Sequence, residues 1–355
     1  MNIQIDGTKI GDSSPTYFIA DIAANHDGSI DRARKLIQLA KEAGADAAKF
    51  QHFNASKIVS DYGFSHLQEQ KSHQALWKQS VTEVYEAASV PDDWTSLLKN
   101  ECDAVGITFF SSPYDFDAVD SLDSFVPAYK IGSGDIDWLE EIEYIAKKGK
   151  PVIIATGAAT MDEVKRAMDL ILSITQDIVL LQCNTNYTGK QENFEHLNLN
   201  VIPTFKKLWP DVVVGLSDHT HGLVAVLGAV ALGARVIERH FTDDNNRIGP
   251  DHHFALDPAA WREMVDQTRL LEMALGSSEK FVAKNEIDSA VVQRRCLRAA
   301  SELPAGHVIS RDDIHVLRPA TPGGILPNEI DSVIGMKLVS DIELGQEFRW
   351  STLQK

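Results

Sequence analysis

Eight short apolar runs, most of them followed by an amphipathic stretch, constrain this chain more than any other feature of it. The runs are Thr16–Ile22, Asp46–Phe50, Gly106–Phe110, Ala128–Ile131, Pro151–Thr156, Asp177–Cys183, Asp211–Leu216 and Ala234–His240. They are short, rich in β-branched residues and nearly continuous in apolar character, which predicts parallel strands buried on both faces. Between them lie helical patterns. Ile30–Ala43 puts Ala33, Leu36, Ile37 and Ala40 on one face and ends at Gly44. Thr160 precedes Met161–Ile174 with Glu163 at capping-box spacing, and Asp257–Leu275 carries Trp261, Met264, Val265 and Leu271 at helical intervals. This alternation predicts an α/β fold, a (β/α)8 TIM barrel over residues 1–275, with an open doubly wound sheet as the competitor. The pattern breaks over 276–292, a polar stretch that reads as a linker. Residues 293–355 then form a small module of short strands and turns, punctuated by Pro-Ala-Gly, Pro-Gly-Gly and Leu-Gly.

Charge narrows the function classes. The 355 residues hold 34 Lys+Arg against 51 Asp+Glu, a net charge of −17. Such a chain is a poor partner for nucleic acid or an anionic membrane surface. No apolar run reaches the length of a membrane span, and the polar start, MNIQIDGTKIGDSSP, lacks the plan of a signal peptide. Three scattered cysteines, Cys102, Cys183 and Cys296, do not make a disulfide scaffold. A soluble cytoplasmic protein is the expectation.

In a parallel barrel the reactive face lies at the carboxyl ends of the strands, and the polar residues gather there. The first run leads into Asp21, Asn25, His26 and Asp27. The later ones carry Lys49 and Gln51, Ser111 and Ser112, then Lys130, Ser133 and Asp135. The last three end in Asn184, Asn186 and Tyr187, in Ser217, Asp218, His219 and His221, and in Glu238 and His240. Loops collect Ser and Asn everywhere, but two lysines embedded in apolar runs are costly unless they meet an anion. Lys49 and Lys130 therefore point to an anionic ligand. His219 and His240 close neighbouring strands, which suits a divalent metal such as Mn, Zn or Fe.

At these motifs the sequence resembles the sialic acid synthase family, whose members make N-acetylneuraminic, legionaminic and pseudaminic acids. The resemblance runs through IADIAANHDGS (Ile19–Ser29), AGADAAKFQ (Ala43–Gln51), FFSSPYD (Phe109–Asp115), AYKIGSGD (Ala128–Asp135) and IIATGAA (Ile153–Ala159). It continues with GLSDHT (Gly215–Thr220), ERHFTDD (Glu238–Asp244) and GPDHHFALDP (Gly249–Pro258). The tail resembles the family's antifreeze-like, or SAF, domain through LRPATPGGI (Leu317–Ile325) and LVSDIELGQEF (Leu338–Phe348).

The resemblance implies a transferase that condenses phosphoenolpyruvate with the open-chain aldehyde of an N-acetylated amino sugar. The product would be a nine-carbon 2-keto-3-deoxy acid, with release of phosphate. By the same resemblance, Lys49 and Lys130 bind phosphoenolpyruvate with Ser112, Ser133, Ser217 and an amide, Asn184 or else Asn186. His219 and His240 hold a divalent metal, Mn being usual and Mg or Co possible. Gln51, Asp135, Tyr187 and Asp251 face the sugar. Arg318 of the tail reaches the N-acyl group in the other subunit's barrel, because family members form a domain-swapped homodimer.

Three departures stand out, one of them a Glu-to-Asp change at Asp135 in the segment that contacts the acceptor. The family's strand-one Glu is Asp21 here, one methylene shorter, so the carboxylate beside the attacking water is Asp21, Asp27 or Glu238. The segment QCNTNYTGK (Gln182–Lys190) lacks the family's proline. Two other functions compete: a metal-dependent aldolase using pyruvate, and a non-catalytic sugar-binding relative. Asn25 and His26 are expected to order the first loop, Cys183 to pack, and His221, His252 and His253 to lie at the surface.

Overall fold

In the computed structural model, which describes residues 2–67, 74, 77 and 79–355, the chain forms two compact units, Met1–Gly276 and Ser277–Lys355. The first opens with a hairpin, β1 (Asn2–Ile5) and β2 (Thr8–Gly11), turned by Asp6 and Gly7 at φ 48° and 76°. Both turn residues have the positive φ that a two-residue hairpin demands, which Asp-Gly supplies at low cost. Its two strands are only four residues each, and the polar start of the chain hides them in the sequence.

All eight predicted strands are present: β3 (Tyr17–Asp21), β4 (Ala47–His52), β5 (Thr108–Pro113), β6 (Tyr129–Ile131), β7 (Val152–Ala155), β8 (Ile178–Cys183), β9 (Val213–Asp218) and β10 (Val236–His240). They pair in parallel in the order β5-β4-β3-β10-β9-β8-β7-β6. The end strands β5 and β6 are neighbours, so the sheet wraps into a nearly closed TIM-like barrel. The expected helices pack outside it. Thr160 caps Met161–Leu172 in a reciprocal box with Glu163, and Asp257 caps Pro258–Leu275.

Because side chains alternate along a strand, each one divides its residues between two cores. Phe18, Ala20, Ala48, Phe50, Phe109, Leu180, Val214 and Ile237 face the helices. Tyr17, Ile19, Ala47, Phe110, Ile153, Val179, Leu181, Val213 and Val236 fill the barrel interior, where Ile3, Ile5 and Ile10 of the hairpin join them. The hairpin thus plugs the amino-terminal end. At Gly215 the interior is so tight that an added Cβ would meet the Val236 carbonyl oxygen at 2.2 Å. The inward parity continues toward the other end as Asp21, Lys49, Gln51, Lys130, Ser217, Glu238 and His240. One alternation therefore runs apolar at the base and ionic at the top.

Residues 277–292, expected as a linker, group with the second unit and include the short helix Ile287–Val292, whose Val291 carbonyl accepts from Ala320 N at 2.9 Å. This unit contains β11 (Cys296–Ala299) antiparallel to β12 (Ile314–Leu317), and β13 (Lys337–Leu338) antiparallel to β14 (Leu353–Gln354). Leu297, Ile309, Ile325, Val333 and Phe348 form its own core. No described helix is long and apolar enough to cross a membrane.

Candidate active site

Strand register sets the centre of the site. Asp21 lies directly beside Lys49 on β4 and beside His240 on β10, and Glu238 lies beside Ser217 on β9. Lys49 is 2% exposed, and its Nζ sits 2.7 Å from Asp21 Oδ2 and 3.9 Å from Glu238 Oε2. Lys130 Nζ is 3.1 Å from Glu238 Oε1, which also accepts from Ser217 Oγ at 3.1 Å. Ser112 Oγ is 3.5 Å from Lys49 Nζ, and Gln51 Nε2 donates to Asp21 at 3.3 Å.

Two cations and two carboxylates thus compensate one another out of water, the condition that makes burying them tolerable. Burial pushes the Asp21 carboxyl up, Glu238 adds to that, and Lys49 opposes it. At Glu238 the burial effect is outweighed by Lys130 and Lys49, which hold the carboxyl below its usual range. Burial alone would lower Lys49, but Asp21 and Glu238 raise it. Glu238 Oε2 nevertheless has no hydrogen-bond partner.

These groups open onto a cavity of about 330 Å³, lined by Asp21, Lys49, Gln51, Lys130, Ser133, Asp135, Tyr187, Ser217, His219, Glu238 and His240. The structure therefore brings most of the sequence-predicted residues to one place. Burial raises the Asp135 carboxyl to about 6 against the pull of Lys130. Asp251 lines an adjoining pocket of about 150 Å³ with Gln51, Tyr187 and His240, and burial with the nearby Asp21 raises it to about 6.

His219 and His240 meet as expected from adjacent strands, with ring centroids 5.4 Å apart. Phe254 lies against both, at 5.9 and 4.9 Å, and Tyr187 packs 4.4 Å from His219. His219 Nδ1 is 2.9 Å from the Asn184 carbonyl, which only accepts, so Nδ1 carries the hydrogen and Nε2 is left for another partner. Burial works against a charged His219, yet its contacts with Cys183 and the Asn184 carbonyl raise its pKa. His240 is pushed well below its usual value by burial, His219 and the lysines. Its Nδ1 has no hydrogen-bond partner and lies 3.8 Å from Asp251 Oδ2. An unpartnered imidazole nitrogen at His240 beside the second imidazole of His219 fits a divalent cation, which would displace any proton held there. Among the described residues no group of three or more His, Cys, Asp or Glu side chains is arranged to hold a metal. Such a site would rest on the two imidazoles, with the carboxylates of Asp21 and Asp251 3.7 and 3.8 Å from His240.

Several expectations fall elsewhere. Asn184 and Asn186 line a neighbouring cavity of about 810 Å³, which shares Gly134, Cys183 and Tyr187 with the central one, and both side chains are committed to loop geometry. Asn184 donates to the His196 carbonyl and accepts from Asn186 N, while Asn186 accepts from Thr188. Asp27 is absent from the central cavity because His252, Arg247 and Arg32 engage its carboxylate. Of the three candidates that leaves Asp21 and Glu238 on the central cavity, which Asp135 also lines. Arg318 is exposed just beyond β12 of the second unit.

Asn25 and His26 are fully buried in the loop after β3. Asn25 Nδ2 donates to the Phe241 carbonyl, and His26 Nδ1 accepts from Gly28 N. His252, expected at the surface, is also fully buried. Tyr85, on the helix Val81–Ala88, and the loop residues Tyr114 and Phe254 went unread because a lone aromatic residue carries no positional signal. Cys183 lines the central cavity as well as packing, which its inward parity on β8 would have shown.

Comparison with known proteins completes this picture. The description of the NeuB family matches residues 36–280, and that of the SAF domain matches residues 294–354. The chain belongs to the NeuB family. The N,N'-diacetyllegionaminic acid synthase of Legionella pneumophila is 34% identical over 99% of both chains. The human N-acetylneuraminate-9-phosphate synthase is 33% identical over 95% of this chain and 92% of its own. Among solved structures, the N-acetylneuraminic acid synthetase of Leptospira borgpetersenii, in complex with citrate, superposes with a TM-score of 0.71 at 27% identity. It covers 81% of this chain and 95% of its own. As a NeuB-family chain, this protein is an enzyme and a sugar-acid synthase.

Proposed function

We propose that this enzyme condenses phosphoenolpyruvate with the open-chain aldehyde of an N-acetylated amino sugar, giving a nine-carbon 2-keto-3-deoxy acid and phosphate. The observation that carries the proposal is the cavity at the carboxyl ends of the strands, where Lys49 and Lys130 meet beside His219 and His240. Phosphoenolpyruvate brings a carboxylate and a phosphate, and two lysines with the hydroxyls of Ser112, Ser133 and Ser217 match those two anionic groups. Its arrival would draw Lys49 and Lys130 away from Asp21 and Glu238, freeing both carboxylates.

Carbon–carbon bond formation uses the enol π electrons to attack the aldehyde carbon, leaving positive charge on the carbon that bears phosphate. Asp21 and Glu238 flank that position, so their negative charge stabilises the cation and one of them takes the proton of the water that adds there. Collapse of the resulting tetrahedral centre expels phosphate and leaves the ketone, and the alkoxide formed from the aldehyde takes up the proton removed from the water. Asp21, held 2.7 Å from Lys49, fills the role of the longer family Glu. Gln51, Asp135, Tyr187 and Asp251 present hydrogen-bonding groups to the sugar. A divalent cation, Mn by family resemblance, would be held by His219 and His240 and supply Lewis acidity at the aldehyde oxygen. A second copy of the chain would complete the acceptor end through Arg318.

The test is a phosphate-release screen with Mn, phosphoenolpyruvate, and a panel of N-acetylmannosamine and 2,4-diacetamido-2,4,6-trideoxy hexoses, with products identified by mass. Phosphate should appear only when both substrates are present. Silence across the panel, or a condensation product from pyruvate, overturns the proposal.

A further inference from the structure

The loop between β10 and the helix Pro258–Leu275 carries both Asp251 and Phe254, yet it has no regular secondary structure of its own beyond turns. What fixes it is visible in its contacts. Its neck is closed by Thr242 N donating to the Leu256 carbonyl at 3.0 Å and by Leu256 N donating to the His240 carbonyl at 2.9 Å. Its interior is filled by His252, which is 0% exposed. Asp27 Oδ1, an acceptor only, lies 2.9 Å from His252 Nε2, so that nitrogen carries the hydrogen. Nδ1 then accepts from Thr242 Oγ1 at 2.7 Å. Asn245 Nδ2 ties the carbonyls of His252 and Ala255 at 3.0 and 2.5 Å, and Arg247 reaches the other oxygen of Asp27 at 2.7 Å.

A hydroxyl, an imidazole and a carboxylate in a row resemble a nucleophilic triad. Here Thr242 and His252 are sealed from solvent, so the row has no access to a substrate and its role is mechanical. It anchors the loop to the turn after β3, where Asp27 sits at φ 49°. Gly249 belongs to the same arrangement, since an added Cβ there would lie 2.6 Å from the His252 ring.

Immediately before His252 in the chain, Asp251 accepts from Ala24 N at 3.3 Å and faces His240. Two residues after it, Phe254 covers the His240 ring. We propose that Asp27 and His252 are positioning residues that set the acceptor-binding edge of the site, by holding this loop so that Asp251 and Phe254 face His240. The inference deepens the proposed function and rests on it for the identity of the acceptor. The phosphoenolpyruvate end, built on Lys49 and Lys130 from the strands themselves, lies outside its reach.

The experiment compares the full-length wild type with Asp27→Ala, His252→Gln and Asp27→Asn, reading both KM values and amide hydrogen exchange across residues 249–255 without substrate. Asp27→Ala and His252→Gln should raise the acceptor KM by about 10-fold or more, the scale of a small misplacement of a binding group, with the phosphoenolpyruvate KM unchanged within about 2-fold. Exchange over 249–255 should speed up in both. Asp27→Asn, whose amide oxygen still accepts from His252, should stay near the wild type in both readouts. A parallel rise in both KM values, unchanged exchange, or failure of both damaging variants to fold overturns the inference. Wild-type enzyme that releases no phosphate overturns the proposed function instead, because exchange is read without turnover.

Discussion

Asp21 and Lys49 occupy directly paired positions on adjacent parallel strands, with Oδ2 and Nζ 2.7 Å apart and both side chains sealed from solvent. Parallel register thus delivers a carboxylate and an ammonium to the same depth in the barrel. Asp21→Asn keeps the shape and removes the charge. Turnover should fall by about 10²–10⁴-fold, the usual span for a general acid–base group. Phosphoenolpyruvate binding should survive or tighten, because the lysine loses a competitor. Steady-state kinetics together with calorimetric titration of phosphoenolpyruvate check this; unchanged turnover would move the role to Glu238 alone.

Glu141 offers a clean pH test away from the histidines. It is 1% exposed on the helix Leu139–Ala146, its Oε1 has no hydrogen-bond partner, and burial with Asp135 and Asp115 nearby raises it to about 8. A carboxyl raised above its unfolded value costs stability as the pH climbs. The cost is absent below about 4.5, grows between 4.5 and 8, and is complete above that. Glu141→Gln should therefore melt with the wild type near pH 4 and above it near pH 9. The gap at pH 9 should reach several kcal/mol, or about 5–10 °C at this chain length. Parallel melting curves across the range would refute it.

Stripping divalent cations with a chelator should abolish phosphate release, and adding Mn back should restore it. The binding itself is read by the electron paramagnetic resonance signal of free Mn. Wild-type protein should suppress that signal, and His240→Ala should leave it at full height. Equal suppression by both proteins would place the cation elsewhere.

The hairpin plug makes a prediction about stability alone. Ile10 is 0% exposed inside the barrel base. Ile10→Ala should cost about 2–5 kcal/mol, the range for an aliphatic side chain truncated in a core. Denaturant unfolding measures the loss, and KM for both substrates should stay as in the wild type. A changed KM would mean that the base and the mouth of the barrel are coupled.

Much of this was legible in the chain. Lys49 and Lys130 stood out because a charge inside an apolar run contradicts the run unless something anionic waits for it. His219 and His240 could be matched because their strands are consecutive, and consecutive barrel strands are neighbours. Alternation along the strands would also have placed Cys183 and Glu238 inside, although Cys183 was expected only to pack and Glu238 was read as a substitute for Asp21. Loops gave no such rule. Asn184 and Asn186 turn their amides to their own backbone, a choice that short polar side chains make from local geometry. His252 sits between Asp251 and His253 in a polar stretch, and nothing in that stretch tells a buried histidine from a solvated one. The partners that bury it, Asp27 and Thr242, lie 225 and 10 residues away. The Asp6-Gly7 turn was readable, since Asp-Gly between NIQI and TKIG is a strong hairpin signal, and it was passed over because the flanking runs are short.

The plugged base has a consequence for traffic. With Ile3, Ile5 and Ile10 closing one end, the barrel formed by the described residues opens at its other end, where substrates would enter and products leave. Lys49 lies deeper in that barrel than Asp251 at the rim. In the proposed reaction the small anion must go in first and the sugar second, and phosphate waits behind the nine-carbon acid until that product has gone. A queue imposed by an oily stopper at the far end would make the order of substrates a property of the fold itself.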